Sequence, residues 1–209
     1  MRITDNKLSI ERLRNNPIFR LTGCIETTKF FSNLASACVK FGTFLERVIG
    51  AEIQRVTDFP FLSEIGQSTL YGQPDKYMLV KPKFGKTKPD LVFVDGDMIR
   101  LFEIKVNLRS SDSKKAHGET DKYKKARKYL KKNYPDYTVQ TYAVDFFGGG
   151  GGSTALYQRA DVFAVINGKA FCKFMGIDYD IVCANLEVDR DENFKFIKSY
   201  ITTMNKLVL

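Results

Sequence analysis

Two apolar runs joined by Asp95-Gly96-Asp97 constrain this chain most. Residues 91–94 and 98–106 are rich in β-branched and aromatic side chains, and an Asp-Gly step between two such runs signals a hairpin. Pro89-Asp90 opens the first run, and Glu103-Ile104-Lys105 lies near the end of the second. Side chains alternate along a strand, so Glu103 and Lys105 are expected on one face and Ile104 on the other, in the core. Folding the hairpin back brings Asp90 beside Glu103, so that two carboxylates and one ammonium share a small patch. Two such acids repel, and one protonates unless a cation lies between them. Mg2+ takes one or two carboxylates together with waters and phosphate oxygens, and it resolves the repulsion. A lysine beside the ion can hold an attacking water and stabilise charge building on a phosphate.

Pro89-Asp90, twelve intervening residues and Glu103-Ile104-Lys105 together resemble the PD-(D/E)XK motif of many restriction endonucleases. The resemblance covers these few residues. It implies an α/β fold with a restriction-endonuclease-like mixed β-sheet core flanked by helices. It also implies that Asp90, Glu103 and the Ile104 carbonyl bind Mg2+, while Lys105 positions or activates the water that attacks a DNA phosphodiester. A stand-alone chain without helicase or ATPase motifs is most similar to a Type II restriction endonuclease. That likeness implies a homodimer cutting double-stranded DNA at a specific sequence. Pro-Asp recurs at Pro74-Asp75 and Pro135-Asp136, and acid-x-lysine triplets recur at Asp5-Asn6-Lys7 and Asp112-Ser113-Lys114 outside any strand-like run; only Asp90 and Glu103 combine the dipeptide, the hairpin and the strand-borne triplet. Asp75 is a competing ligand because a β-prone run, residues 77–80, follows it.

Read without the resemblance, the stretch also fits an ordinary surface hairpin with a cross-strand ion pair. Three other functions therefore stay open. One is a PD-(D/E)XK nuclease of repair, recombination or mobile-element processing. Another is a non-catalytic nucleic-acid-binding module. The last is an adaptor whose basic face meets an acidic protein.

The net charge of +9 favours a polyanionic partner. At 209 residues a single domain over 1–209 is expected, with room for a real core. No apolar run is long enough to span a bilayer and no signal-peptide core is evident, so a cytoplasmic location without membrane contact is expected. Four scattered cysteines and one histidine, His117, offer no zinc pattern and no multi-histidine site.

A short helix is expected over residues 10–15, and Arg2, Arg12, Arg14 and Arg20 form a solvated face or phosphate contacts. Apolar residues at spacings of three and four predict one or two helices over 29–56, with Gly42 a weak interruption. On that segment Glu46 is a candidate to orient Lys105 or to contact metal through water, since related nucleases carry an acid on a helix before the hairpin. Loops around one strand at 77–80 are expected before the motif.

After Lys105, residues 107–118 read as a polar loop and 119–133 as a helix with Tyr123, Ala126, Tyr129 and Leu130 on one face. Ten lysines and arginines fall between Arg109 and Lys132. Lys114, Lys115, Lys122 and Lys124 are candidate DNA contacts, and Arg159 is a candidate to read a base edge of the DNA. Glu119-x-x-x-Tyr123 resembles the Gln-x-x-x-Tyr element on the helix after the active-site strand in some exonuclease branches, with glutamate in place of glutamine. Residues 138–147 predict a third core strand, Gly148 to Gly152 a linker or a mobile loop near DNA, and 155–160 a short helix. A strand over 161–166, a turn at Asn167-Gly168 and a terminal helix over 191–207 complete the reading.

Overall fold

A computed structural model describes residues 1–4, 8–57, 61–62, 76–80, 84, 87–108, 113–148, 157 and 162–208. Asp75, Arg159, Gly149–Gly152 and most of the 155–160 helix lie outside the described residues. The chain divides into two compact units, residues 1–45 with 180–209, and residues 46–179.

The first unit is helical. Its elements are α1 (Ile10–Arg14), α2 (Pro17–Thr22), the N-terminal part of α3 (Ile25–Val56), most of α6 (Tyr179–Glu187) and α7 (Arg190–Val208). Asn16 caps α2, and Pro17 sits in the first turn, where its missing N–H costs nothing. Segment 1–26, expected to carry one short helix, thus carries two. The first and last parts of this unit are tied by the N-terminal ammonium and Arg2, both bonded to Asp189 at 3.0 and 3.1 Å. Asn33 bonds the Tyr200 hydroxyl at 3.3 Å. On α7, Phe194 and Ile201 are exposed.

The second unit carries a sheet of six strands among the described residues, in the order β1-β2-β3-β4-β5-β6. Strands β1 (Phe61–Leu62) and β6 (Ala164–Asn167) are short edges. Strands β2 (Lys76–Val80), β3 (Leu91–Asp95), β4 (Met98–Lys105) and β5 (Thr138–Asp145) form the body. Pairs β2/β3 and β3/β4 are antiparallel; β1/β2, β4/β5 and β5/β6 are parallel. The architecture is a mixed sheet flanked by helices, as the α/β reading expects.

The hairpin forms where expected, with Gly96 at φ 58° in the turn, a left-handed conformation that glycine adopts without strain. Gly42 does not break α3, which runs as a single helix. Helix α4 (Ser113–Asn133) begins well before Glu119, correcting the expected loop over 113–118. Gly118 lies inside it, and its cost is offset by the core stripe on either side. Asn167-Gly168 is not a hairpin turn either: Asn167 caps α5 (Gly168–Met175) by accepting from the Ala170 N–H at 2.8 Å.

The core cluster lies between the sheet and α4. Val92, Val94, Ile99, Leu101, Val139 and Ala143 meet Ala116, Tyr123, Ala126 and Leu130. Tyr129, expected on this face, is exposed instead. On the opposite face Phe102 packs against Phe171 and Phe174 of α5, at 5.3 and 5.9 Å between ring centroids.

Candidate active site

Four elements change character at one end of the sheet. On the face toward α4, β3 read backwards gives Val94, Val92, then Asp90. Strand β4 gives Ile99, Leu101, then Glu103 and Lys105, and β5 gives Val139, Thr141, Ala143, then Asp145. The inward stripe of α4, read backwards, gives Leu130, Ala126, Tyr123, then Glu119. The period of two in the strands and 3.6 in the helix brings these polar ends to one place. Buried ionisable groups are costly, and a convergence of them makes a candidate functional site.

The structure brings Asp90, Glu103 and Lys105 together. Leu91 pairs with Phe102, and the Asp90 N–H donates to the Phe102 carbonyl at 3.2 Å, so Asp90 sits across from Glu103. One Asp90 carboxylate oxygen, Oδ2, accepts the Ile104 N–H at 2.8 Å. Glu103 is only 7% exposed, with Asp90 and Lys105 half-buried beside it, unlike the residues of a surface hairpin. Glu103 is bonded through one oxygen to the Lys105 ammonium, and its other oxygen lies 2.8 Å from the Tyr123 hydroxyl. The same hydroxyl lies 3.0 Å from the Phe102 carbonyl.

Lys105 has a second acid: its Nζ lies 3.2 Å from Glu119 Oε1. The other Glu119 oxygen accepts from the hydroxyl of Tyr157, a fully buried residue. A connected chain therefore runs Tyr157–Glu119–Lys105–Glu103–Tyr123. The sequence flagged Glu119 and Tyr123 only through the family-like spacing on the helix. It gave no sign of Tyr157, which no local periodicity connects to the site.

Burial pushes Asp90 up to about 8, helped by the charges of Glu103 and Glu46 and opposed by the Ile104 N–H and Lys105. Glu46 is thus close enough on α3 for its charge to be felt at Asp90. Burial also raises Glu103, against the pull of Lys105 and Tyr123. Burial works against the Lys105 ammonium, yet Glu103, Glu119 and Asp90 hold it above its ordinary range. Burial, with Glu103 beside it, lifts the Tyr123 phenol well above its usual value.

No family model, curated protein or solved structure matches this chain. The reading of the site therefore rests on its own chemistry.

Asp90 and Glu103 are two carboxylates held in repulsion, which suits a divalent cation between them. Backbone groups on a strand alternate between neighbours. Phe146 N–H takes the Lys105 carbonyl on the β5 side at 2.9 Å, so the Ile104 carbonyl is turned to the Asp90 side. Among the described residues, no group of three or more His, Cys, Asp or Glu side chains is placed to hold a metal. The donor set of two carboxylates, a carbonyl and water fits Mg2+ and does not fit a structural zinc ion.

Of the expected DNA contacts, Lys122 and Lys124 are exposed on α4. Lys114 and Lys115 belong to the same helix, with side chains outside the described residues. Lys122 also has a structural part, its carbonyl accepting from the Thr87 hydroxyl at 2.9 Å. Asp145, not singled out in the sequence, accepts the Leu108 N–H at 2.8 Å and so fixes the loop that leaves Lys105. Among the described residues no helix is long and apolar enough to cross a membrane.

Proposed function

We propose that the chain is a Mg2+-dependent deoxyribonuclease of PD-(D/E)XK type that hydrolyses phosphodiester bonds, acting as a Type II restriction endonuclease on double-stranded DNA. One observation carries the reading: the buried Glu103 carboxylate and the half-buried Asp90 carboxylate face each other across a hairpin, with the Lys105 ammonium on the same face. Asp90, Glu103 and the Ile104 carbonyl would hold the ion. Bound there, Mg2+ supplies an acidified water and charge neutralisation on the phosphate.

The chain's own residues do the rest. Lys105 Nζ, kept protonated by Glu103 and Glu119, donates to the attacking water or to a non-bridging phosphate oxygen and offsets the growing negative charge. Tyr123 fixes the Glu103 rotamer, and Tyr157 fixes Glu119. Glu46 adds negative potential that favours a cation at Asp90. The exposed lysines of α4 gather the phosphate backbone. A homodimer would place one such site on each strand.

The second reading is a nuclease of repair, recombination or mobile-element processing. It is favoured by Glu119 and Tyr123, whose exonuclease-like spacing reaches Lys105 and Glu103 directly. Incubation of long double-stranded DNA with Mg2+, with EDTA and Glu103→Gln as controls, separates the readings. Discrete bands lost in both controls are the result expected of a restriction enzyme. A smear or stepwise shortening supports the processing nuclease. No cleavage, with binding that persists in EDTA, rejects catalysis and leaves the binding module.

A further inference from the structure

We infer that the substrate strand runs over the carboxyl ends of β4, β5 and β6, where Phe147 stacks on an unpaired base and Lys169 holds a phosphate. The inference rests on the metal-nuclease reading in its second form, the processing nuclease: it requires a single-stranded nucleotide beside the cleavage centre, which the intact duplex of a restriction enzyme does not offer.

The three strands are parallel and end in line. Lys105 pairs in register with Asp145, and Asp145 with Asn167. Ligands of parallel sheets bind outside such carboxyl ends. Neighbouring strands lie about 4.8 Å apart, so β4 to β6 spans about 10 Å, within reach of the nucleotides next to the cleaved bond.

Phe147 stands at the middle of this line. It is 44% exposed, while its backbone is bonded and its neighbours are tightly packed. Its N–H donates to the Val106 carbonyl at 3.0 Å, one residue past Lys105. Before it, Phe146 is buried and stacks on Tyr179 at 5.3 Å. After it, Gly148 lies so close to the Asp145 carboxylate that a Cβ there would overlap it. Gly168, at the start of α5, is likewise pressed on the Phe146 carbonyl and the Tyr179 ring.

Singly exposed apolar side chains are common and need no function. Phe147 differs from Leu21 or Val188 in standing on a backbone bonded to Val106, the residue that follows Lys105. A pre-fixed aromatic ring loses little freedom when a base stacks on it. The Phe147 ring meets the Phe146 ring edge-on at 5.0 Å between centroids. Bases inside a duplex already stack on each other, so a base that stacks on Phe147 is one out of the stack.

Lys169 continues the track. It is exposed, and its ammonium lies 5.7 Å from the centroid of Tyr179, the ring that stacks on Phe146. A cation there, on a chain of net charge +9, matches the phosphate that follows a stacked base.

The test is binding in EDTA, where metal-dependent hydrolysis is absent. The probes are a short single-stranded oligonucleotide carrying a fluorescent purine analogue and a blunt duplex of the same sequence. The wild-type chain should quench the single-stranded probe. Phe147→Ala should lose the quench and bind it about tenfold to a hundredfold more weakly. Phe147→Trp should restore both, and Lys169→Gln should weaken binding and flatten its salt dependence. Equal binding of the single strand by wild type and Phe147→Ala, equal losses on the blunt duplex, or no binding by wild type would each overturn the inference. Cleavage with Mg2+ is scored separately. Stacking without any cleavage keeps the strand track and rejects the nuclease reading, whereas cleavage without stacking does the reverse.

Discussion

Two sets of ion pairs in this protein obey different physics. On α7 and just before it, Arg190 pairs with Glu187 and Lys195 with Glu192, at 3.3 and 3.0 Å and three residues apart. Their side chains are half or more exposed, so water screens them and they contribute little. At the end of the sheet, Lys105 meets Glu103 and Glu119 from two different elements, all three largely buried. Removing water there makes each charge depend on the others and raises the proton affinities of Glu103 and Lys105. The first set decorates a helix. The second is expensive enough to need a purpose.

The sharpest way to break the comparison is to remove one charge from each set. Glu103→Gln keeps the shape but loses a metal ligand, and DNA cleavage should fall by about a thousandfold or more. A residual rate within about tenfold of wild type would remove Glu103 from the chemistry.

The next effect is on pH and stability. Asp90 is raised to about 8 in the fold from an ordinary 3.8, so between these values the folded state binds the extra proton. Without metal, stability should therefore fall as pH rises from about 4 to about 8, and be fully present only below the unfolded value. Asp90→Asn should remove most of that slope and raise the melting temperature above pH 8. The metal needs the deprotonated carboxylate, so Mg2+ affinity of the wild-type chain should rise through the same interval. A flat affinity profile would show that Asp90 is not a ligand.

Glu119→Gln keeps a hydrogen-bond acceptor for Lys105 but removes a charge. Cleavage should drop by about tenfold to a hundredfold, while Mg2+ affinity read by calorimetry should change little. A large loss of Mg2+ affinity would make Glu119 a ligand instead of a support for Lys105. The smallest effect belongs to the exposed set: Glu187→Ala should leave the melting temperature unchanged at any salt concentration. A measurable fall would show that this pair is not the solvated decoration described above.

Much of the local structure was legible. Alternation from Met98 to Lys105 put Glu103 and Lys105 on one face, and Asp-Gly marked the turn. The spacing of three and four marked α3 and the later part of α4. The start of α4 was hidden because residues 113–118 are polar and Ser/Gly-bearing, and their helix depends on Ala116, Glu119 and Thr120 being buried against the sheet. The same holds for α5, where Asn-Gly has the composition of a turn but Asn167 serves as a cap.

The sequence by itself determined which residues share a face, because a strand repeats every two residues and a helix every 3.6, whatever surrounds them. It determined the hairpin, hence the opposition of Asp90 and Glu103. Tertiary structure alone decided that Glu119, backed by Tyr157, meets Lys105, that Glu46 is felt at Asp90, and that Glu103, Glu119, Tyr123 and Tyr157 are buried. Those relations join elements far apart in the chain. Their distances are set by packing against the common core, which no local period encodes.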